Sequence, residues 1–188
     1  QISDLQALHD QKIMLEPQSA ELLAYFKYEG LDPEKLQIVP HTFGVADLLA
    51  DQVAAISAYG TDEPFQMEAA GVAYQVFMPR AGGIDFYGDN LFTTEEMINQ
   101  QPERVRRFRE ASLQGWEYAL KHPEEIIEII LRDYDTPKNR AALEFEAERT
   151  IPLMHPGLIE VGHTNSGRWR YMADTYAEFG MMPRDYDL

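Results

Sequence analysis

Hydrophobic positions along this chain follow two rhythms, and the switch between them falls near Pro79. Before it, short apolar runs alternate with helical spacing. Lys12 to Leu15 (KIML) predicts a strand, and Glu16-Pro17-Gln18-Ser19 follows as a helix start. Ala20 to Tyr28 carries Leu22, Leu23, Tyr25 and Phe26 at near-helical spacing, with Gly30 as its stop. Leu36 to Val39 is the next expected strand, Asp47 to Ala50 a short helix, and Val53 to Ala58 a third strand. Pro64 to Ala70 reads as a helix ended by Gly71, and Tyr74 to Met78 as a fourth strand. Strands and helices taken in turn predict an α/β unit with a mostly parallel sheet.

After Pro79 the helical rhythm takes over. Arg80-Ala81-Gly82-Gly83 reads as a connector and Asn90 to Thr93 as a lone strand. Thr93 and Glu96 fit the two ends of a capping box. Pro102 and Pro123 each occupy a favoured first-turn position. One helix face runs Val105, Phe108, Ser112, Trp116, Ala119 and Leu120, and the next Ile126, Ile127, Ile130 and Tyr134. Lys138 to Thr150 predicts another helix, interrupted at Pro152. Asn165 or Ser166 caps a last one with the stripe Trp169, Met172, Ala173, Tyr176 and Phe179, stopped by Gly180. A single strand among helices needs a sheet from elsewhere.

Composition narrows the function. The 188 residues are 45% hydrophobic and 26% charged, which describes a folded soluble protein. Thirty-two acids against 16 bases give a formal charge of −16, which disfavours nucleic acids and anionic membranes as partners. No apolar run approaches the roughly 20 residues that cross a bilayer. Without a signal peptide and with Gln1 first, the chain reads as a mature or excised fragment. Zero cysteines exclude disulfides, zinc thiolates and thiol catalysis.

Two segments concentrate aromatic and acidic side chains on Gly-containing turns: Tyr59-Gly60-Thr61-Asp62-Glu63-Pro64-Phe65 and Ile84-Asp85-Phe86-Tyr87-Gly88-Asp89. Such loops suit a small, flat, amine-bearing ligand better than a metal or a nucleic acid. Plainer roles stand beside these. Asp62 and Glu63 also complement a helix dipole, Asp85 and Asp89 also suit turns, and Ser19 also suits a helix cap. Trp116 and Trp169 lie on helix stripes and are expected in the core. His41 follows the second strand and is expected at the surface rather than in a cleft, and His155 and His163 are expected in solvent. His122-Pro123-Glu124-Glu125 has no metal-ligand spacing. No catalytic motif is present, and adjacent Asp62 and Glu63 point in different directions, which is poor for paired acid/base work.

The run Gly115-Trp116-Glu117-Tyr118-Ala119-Leu120-Lys121-His122-Pro123-Glu124-Glu125 closely resembles a stretch of the thiamine-pyrimidine/alkanesulfonate branch of the type 2 periplasmic solute-binding proteins. The Ser19 helix start, the Glu63-Pro64 turn, the Asp85-Phe86-Tyr87-Gly88 crossing and the Thr93-Thr94 helix start fall in the same order, so the resemblance covers roughly residues 3 to 183. It implies two α/β lobes that close on a ligand about a hinge. The chain would begin where the second lobe begins: residues 1–78 form that lobe, 79–89 the crossing, and 90–188 the helix-rich rest of the first lobe. The ligand site it implies comprises Glu16, Ser19, Tyr59, Thr61, Asp62, Glu63, Asp85, Tyr87 and Gly88, without metal or cofactor. The resemblance would place Glu16, Asp62, Glu63, Asp85 and Asp89 near the cleft with only Arg80 opposing them, so a pyrimidine of the thiamine type is expected over a sulfonate.

The resemblance further implies an extracytoplasmic receptor of an ABC importer with a permease as partner. The alternative is the input domain of a membrane-bound histidine kinase or diguanylate cyclase, to whose sensor modules YGDNLFTTEE and GRWRYMADTYAEFG are similar. An iron-dependent enzymatic branch of the family uses a cysteine-rich segment, which this chain lacks. With part of one lobe missing, apolar surface near Asn90 to Phe92 is expected to pair in a homodimer.

Overall fold

A computed structural model of the chain describes residues 4–17 and 19–187, so Gln18 of the expected helix start lies outside the described residues. Its contacts divide it into two compact units, Gln1–Phe86 with Asn165–Leu188, and Tyr87–Thr164.

The first unit is built on a three-stranded parallel sheet in the order β2-β1-β3. Strand β1 is Lys12–Leu15, β2 is Gln37–Pro40, and β3 is the two-residue Ala55–Ile56. Lys12 to Leu15 pair with Gln37 to Pro40 in register, while Ile13 and Met14 pair with Ala55 and Ile56. β1 is central and loses its last three residues to the interior, as a strand covered on both faces must. Helix α1 (Ala20–Tyr28) follows β1, α2 (Ala46–Leu49) follows β2, and α3 (Glu63–Ala69) follows β3. The core gathers Leu5, Leu8, Ile13, Leu15, Tyr25, Phe26, Leu31, Leu36 and Ile84. Phe77 and Phe86 pack against it.

Helix α8 (Ser166–Glu178) completes this unit. Asn165 caps it, its side-chain oxygen accepting the amides of Gly167 and Arg168 at 2.8 and 3.2 Å. The Arg168 guanidinium donates to the Asp85 carbonyl, the Asp85 carboxylate and the Phe86 carbonyl at 3.0, 2.8 and 3.0 Å. The Tyr171 hydroxyl reaches the Gly83 carbonyl, and Lys27 on α1 donates to the Phe179 carbonyl at 2.7 Å. Patterning alone groups this helix with 90–188, but its polar anchors lie in the α/β unit. Gly82 is needed where α1 crosses the connector, since a Cβ there would meet the Tyr25 ring at 2.4 Å.

The second unit contains α4 (Glu95–Gln100), α5 (Pro102–Lys121), α6 (Pro123–Asp133) and α7 (Arg140–Met154). Thr94 rather than Thr93 caps α4, its hydroxyl accepting the Met97 amide at 3.1 Å. Asn139 caps α7 through the Ala142 amide at 2.9 Å. Pro152 sits inside the last turn of α7 instead of interrupting it. Arg140 on α7 is paired with Glu128 on α6 at 2.6 Å, and the Tyr118 hydroxyl on α5 with Glu125 on α6 at 2.7 Å.

Two expected strands are not formed. Tyr74 to Met78 and Asn90 to Thr93 run without ladder partners. An apolar run becomes a strand only beside another strand's free edge. Val72, Val76 and Met78 are exposed, as are Leu91 and Phe92. Trp116, expected in the core, is half exposed on α5, which buries none of its residues.

Candidate functional site

Parallel strands aim all their carboxyl ends at one edge, where the loops that follow them converge. Here the three loops are tied together at that edge. The Glu16 amide, just past β1, donates to the Ser57 hydroxyl past β3 at 2.9 Å. His41, just past β2, donates from Nε2 to the Ser57 carbonyl at 2.9 Å and accepts the Phe43 amide at Nδ1 at 2.8 Å. Because Nδ1 accepts a hydrogen bond from the Phe43 amide, the ring proton must sit on Nε2, and the two bonds fix that tautomer. His41 and Ser57 are both buried, so the expectation of a surface His41 is corrected. Its ring bridges the outer two strands across the end of the central one.

A groove of about 400 Å³ opens beside this edge, lined by Leu15, Glu16, Ser19, Leu23, Ile38 and Pro40 among others. Its wall is mostly apolar, with Glu16 as its acid. The Glu16 carboxylate meets no hydrogen-bond donor or cation among the described residues, which leaves its oxygens open to a ligand. Ser19 heads α1, yet its hydroxyl donates back to the Glu16 carbonyl at 2.8 Å instead of capping the helix.

Past β3, Glu63 is buried, and its carboxylate accepts the Tyr59 amide at 2.8 Å, closing the loop that carries Gly60, Thr61 and Asp62. The buried charge is stabilised by that backbone donor and by its place in the first turn of α3. Asp62 accepts from Gln66 at 3.3 Å. Tyr59 is 58% exposed, so this loop displays an aromatic ring beside the strand edge. Thr61 is half-buried.

Asp85 belongs to another constellation. Its carboxylate lies between Arg80 Nε at 3.1 Å and Arg168 at 2.8 Å. Asp85 is thus opposed by two guanidiniums, where the sequence offered only Arg80. Beside Asp85, Phe86 packs edge-on against Tyr171 and Tyr176, with ring centroids 6.0 and 4.9 Å apart. Burial, with the Glu21 carboxylate adding to it, pushes the Tyr176 hydroxyl above the ordinary tyrosine range. Tyr87 and Gly88 open the second unit. Tyr87 is half-buried there, and the Gly88 carbonyl accepts the Asn90 side-chain amide at 2.6 Å.

The structure thus brings Glu16, Ser19, Tyr59, Thr61, Asp62 and Glu63 to one sheet edge and holds Asp85 against α8. Ser57, Phe43 and Arg168 are not among the residues that the sequence singles out. The signal for Ser57 was its place directly after β3, in the same position that His41 holds after β2. Arg168 had none, because its partner lies 83 residues away in the chain.

Two comparisons with known proteins bear on this geometry. A family model described as NMT1/THI5 like matches residues 1–126. The chain is 31% identical over 87 residues to the riboflavin-binding protein RibY of Chloroflexus aurantiacus, an alignment covering 46% of this chain and 24% of that protein. The match therefore spans about a quarter of that curated relative's length.

Proposed function

The chain belongs to the NMT1/THI5-like family, and on that premise we propose that it binds a small, flat nitrogen heterocycle at the carboxyl edge of its sheet. The reading rests foremost on the Glu16 carboxylate, which has no partner among the described residues and lies beside an apolar groove, with the exposed Tyr59 ring on the loop after β3. A carboxylate acceptor recognises ring amines, and apolar and aromatic walls recognise the ring itself. With Glu63 and Asp85 engaged by backbone and arginine, Glu16 carries the preference for an amine over a sulfonate. Ser19, Tyr59, Thr61 and Asp62 complete this side of the proposed site, and Glu63 shapes it from behind. Asp85, Tyr87 and Gly88 are proposed contacts from the crossing segment.

A relative named as a riboflavin-binding protein supports a heterocycle as the ligand class, and the thiamine pyrimidine fits the same chemistry. We assign the chain no catalysis and no cofactor, an extracytoplasmic setting, and the role of receptor to an ABC importer. The same binding would serve the input domain of a membrane-bound kinase or diguanylate cyclase. Leu91 and Phe92, 61% and 89% exposed, would support a homodimer, against which a monomer in sedimentation would count.

Calorimetric titration with 4-amino-5-hydroxymethyl-2-methylpyrimidine, riboflavin and taurine tests the reading. Saturable binding of the aminopyrimidine is expected, weakened about tenfold by Glu16→Gln as a charge-assisted bond becomes a neutral one. Binding of taurine alone would sink the assignment of Glu16, and binding of none would sink the strand-edge site.

A further inference from the structure

Phe43 follows β2 by three residues and lies in the left-handed region, with φ of 59°. Among the described residues the other non-glycine positions with positive φ are Asp10, Asp51 and His155, residue types that tolerate it. A bulky apolar side chain does not, and strain of this kind persists only where the surroundings impose it. Burial does not explain the choice, because Phe43 is 74% exposed. Glycine or asparagine would make the same turn without strain.

The surroundings do impose it. The Phe43 amide is held by His41 Nδ1 at 2.8 Å, and its ring leans on the imidazole with centroids 5.4 Å apart at 58°. His41 is itself fixed to the Ser57 carbonyl, and the Ser57 hydroxyl to the Glu16 amide. On the near side, the Thr42 hydroxyl donates to Asp47 at 2.6 Å and its amide points to the Met14 sulfur at 3.3 Å. A chain of bonds running from the Glu16 segment thus mounts one aromatic ring outward at the strand edge. The loop on the far side of β1 displays a second, Tyr59.

We propose that Phe43 is a preorganised stacking face for the ring of a planar ligand and a determinant of affinity at this edge. The proposal rests on the heterocycle reading above. Holding the ring in place before binding removes the ordering cost that a mobile side chain would impose.

Two variants of the full chain, Phe43→Asn and Phe43→Tyr, test this in thermal unfolding and in titration with the aminopyrimidine. Without ligand, Phe43→Asn should melt about 3 °C higher, since asparagine tolerates the left-handed turn and little packing is lost. The same variant should bind the aminopyrimidine about fivefold more weakly, while Phe43→Tyr keeps the affinity of the parent. An unchanged or lower melting temperature for Phe43→Asn would make Phe43 a packing residue and overturn the proposal. Equal binding by parent and Phe43→Asn would overturn it while leaving the strand-edge reading intact. Binding by neither would overturn both.

Discussion

The two compact units are made by different rules. In the α/β unit, residues far apart in sequence bury one another, and Ile13, Met14 and Leu31 are essentially sealed from solvent. In the helical unit only Ile127 and Leu143 are buried among the described hydrophobic residues, while Phe108, Trp116, Tyr134 and Leu158 are exposed. Its helices are specified locally instead. Thr94 and Asn139 cap two of them, prolines open α5 and α6, and Arg106 grips Glu103 and Glu110 one turn to either side. An apolar groove of about 510 Å³, lined by Trp116, Leu120, Ile127, Ile130, Leu143 and Ile151, runs among α5, α6 and α7. Local signals are thus sufficient to define helices, but they do not create an interior.

The chain carries two tryptophans, Trp169 in the α/β unit and Trp116 in the helical one, so each unit has its own optical reporter. With Trp116 replaced by phenylalanine, Ile13→Ala should lower the urea stability read by Trp169 by about 3 kcal/mol. With Trp169 replaced instead, the transition read by Trp116 should stay where it was. If both transitions move together, the units unfold as one and the contrast is broken. A smaller effect, about 2 kcal/mol, is expected for Arg168→Ala, which removes three hydrogen bonds from a partly exposed guanidinium. Lysine should not restore it, because it lacks the fork that reaches a carboxylate and two carbonyls. Amide exchange across 166–178 would register the loosening.

Asn139→Ala should cost about 1 kcal/mol in the Trp116 transition and lower the helical signal in far-ultraviolet dichroism. No loss would mean that α7 is held by more than its local start. The smallest effect concerns pH. The Tyr176 and Tyr25 hydroxyls titrate above their ordinary value of 10.0 in the folded chain, mainly through burial, with Glu21 and Glu29 adding to it. Their contribution is fully present below pH 10 and is lost as pH rises through the raised folded values. Tyr176→Phe should therefore flatten part of the alkaline fall in stability seen by Trp169.

The same contrast governs what could be read in the sequence. β1, α1 and α3 were legible because a run of three apolar residues or a helical stripe is a local pattern. Strand-like Tyr74 to Met78 and Asn90 to Thr93 misled because pairing is not a property of the run itself. The candidate site divides in the same way. Glu16, Ser19, Tyr59 and Glu63 fall between a strand end and the first turn of the helix after it, where parallel topology gathers ligand contacts. His41 was visible but misplaced, since its burial depends on Ser57 across the sheet. Asp85 looked open until Arg168 closed on it from a distant part of the chain. The strained Phe43 was invisible, because nothing in a sequence states that a phenylalanine will have a positive φ.

The anchoring of α8 onto the first unit also sets an order of events during synthesis. Asp85 and Lys27 emerge early, but their partners Arg168 and Phe179 come only after the whole of residues 87–164. At common translation rates that interval is on the order of ten seconds. Throughout it the nascent sheet carries Phe86 and the Gly83 carbonyl uncovered. Those seconds, rather than the finished structure, are when a chaperone would find this protein.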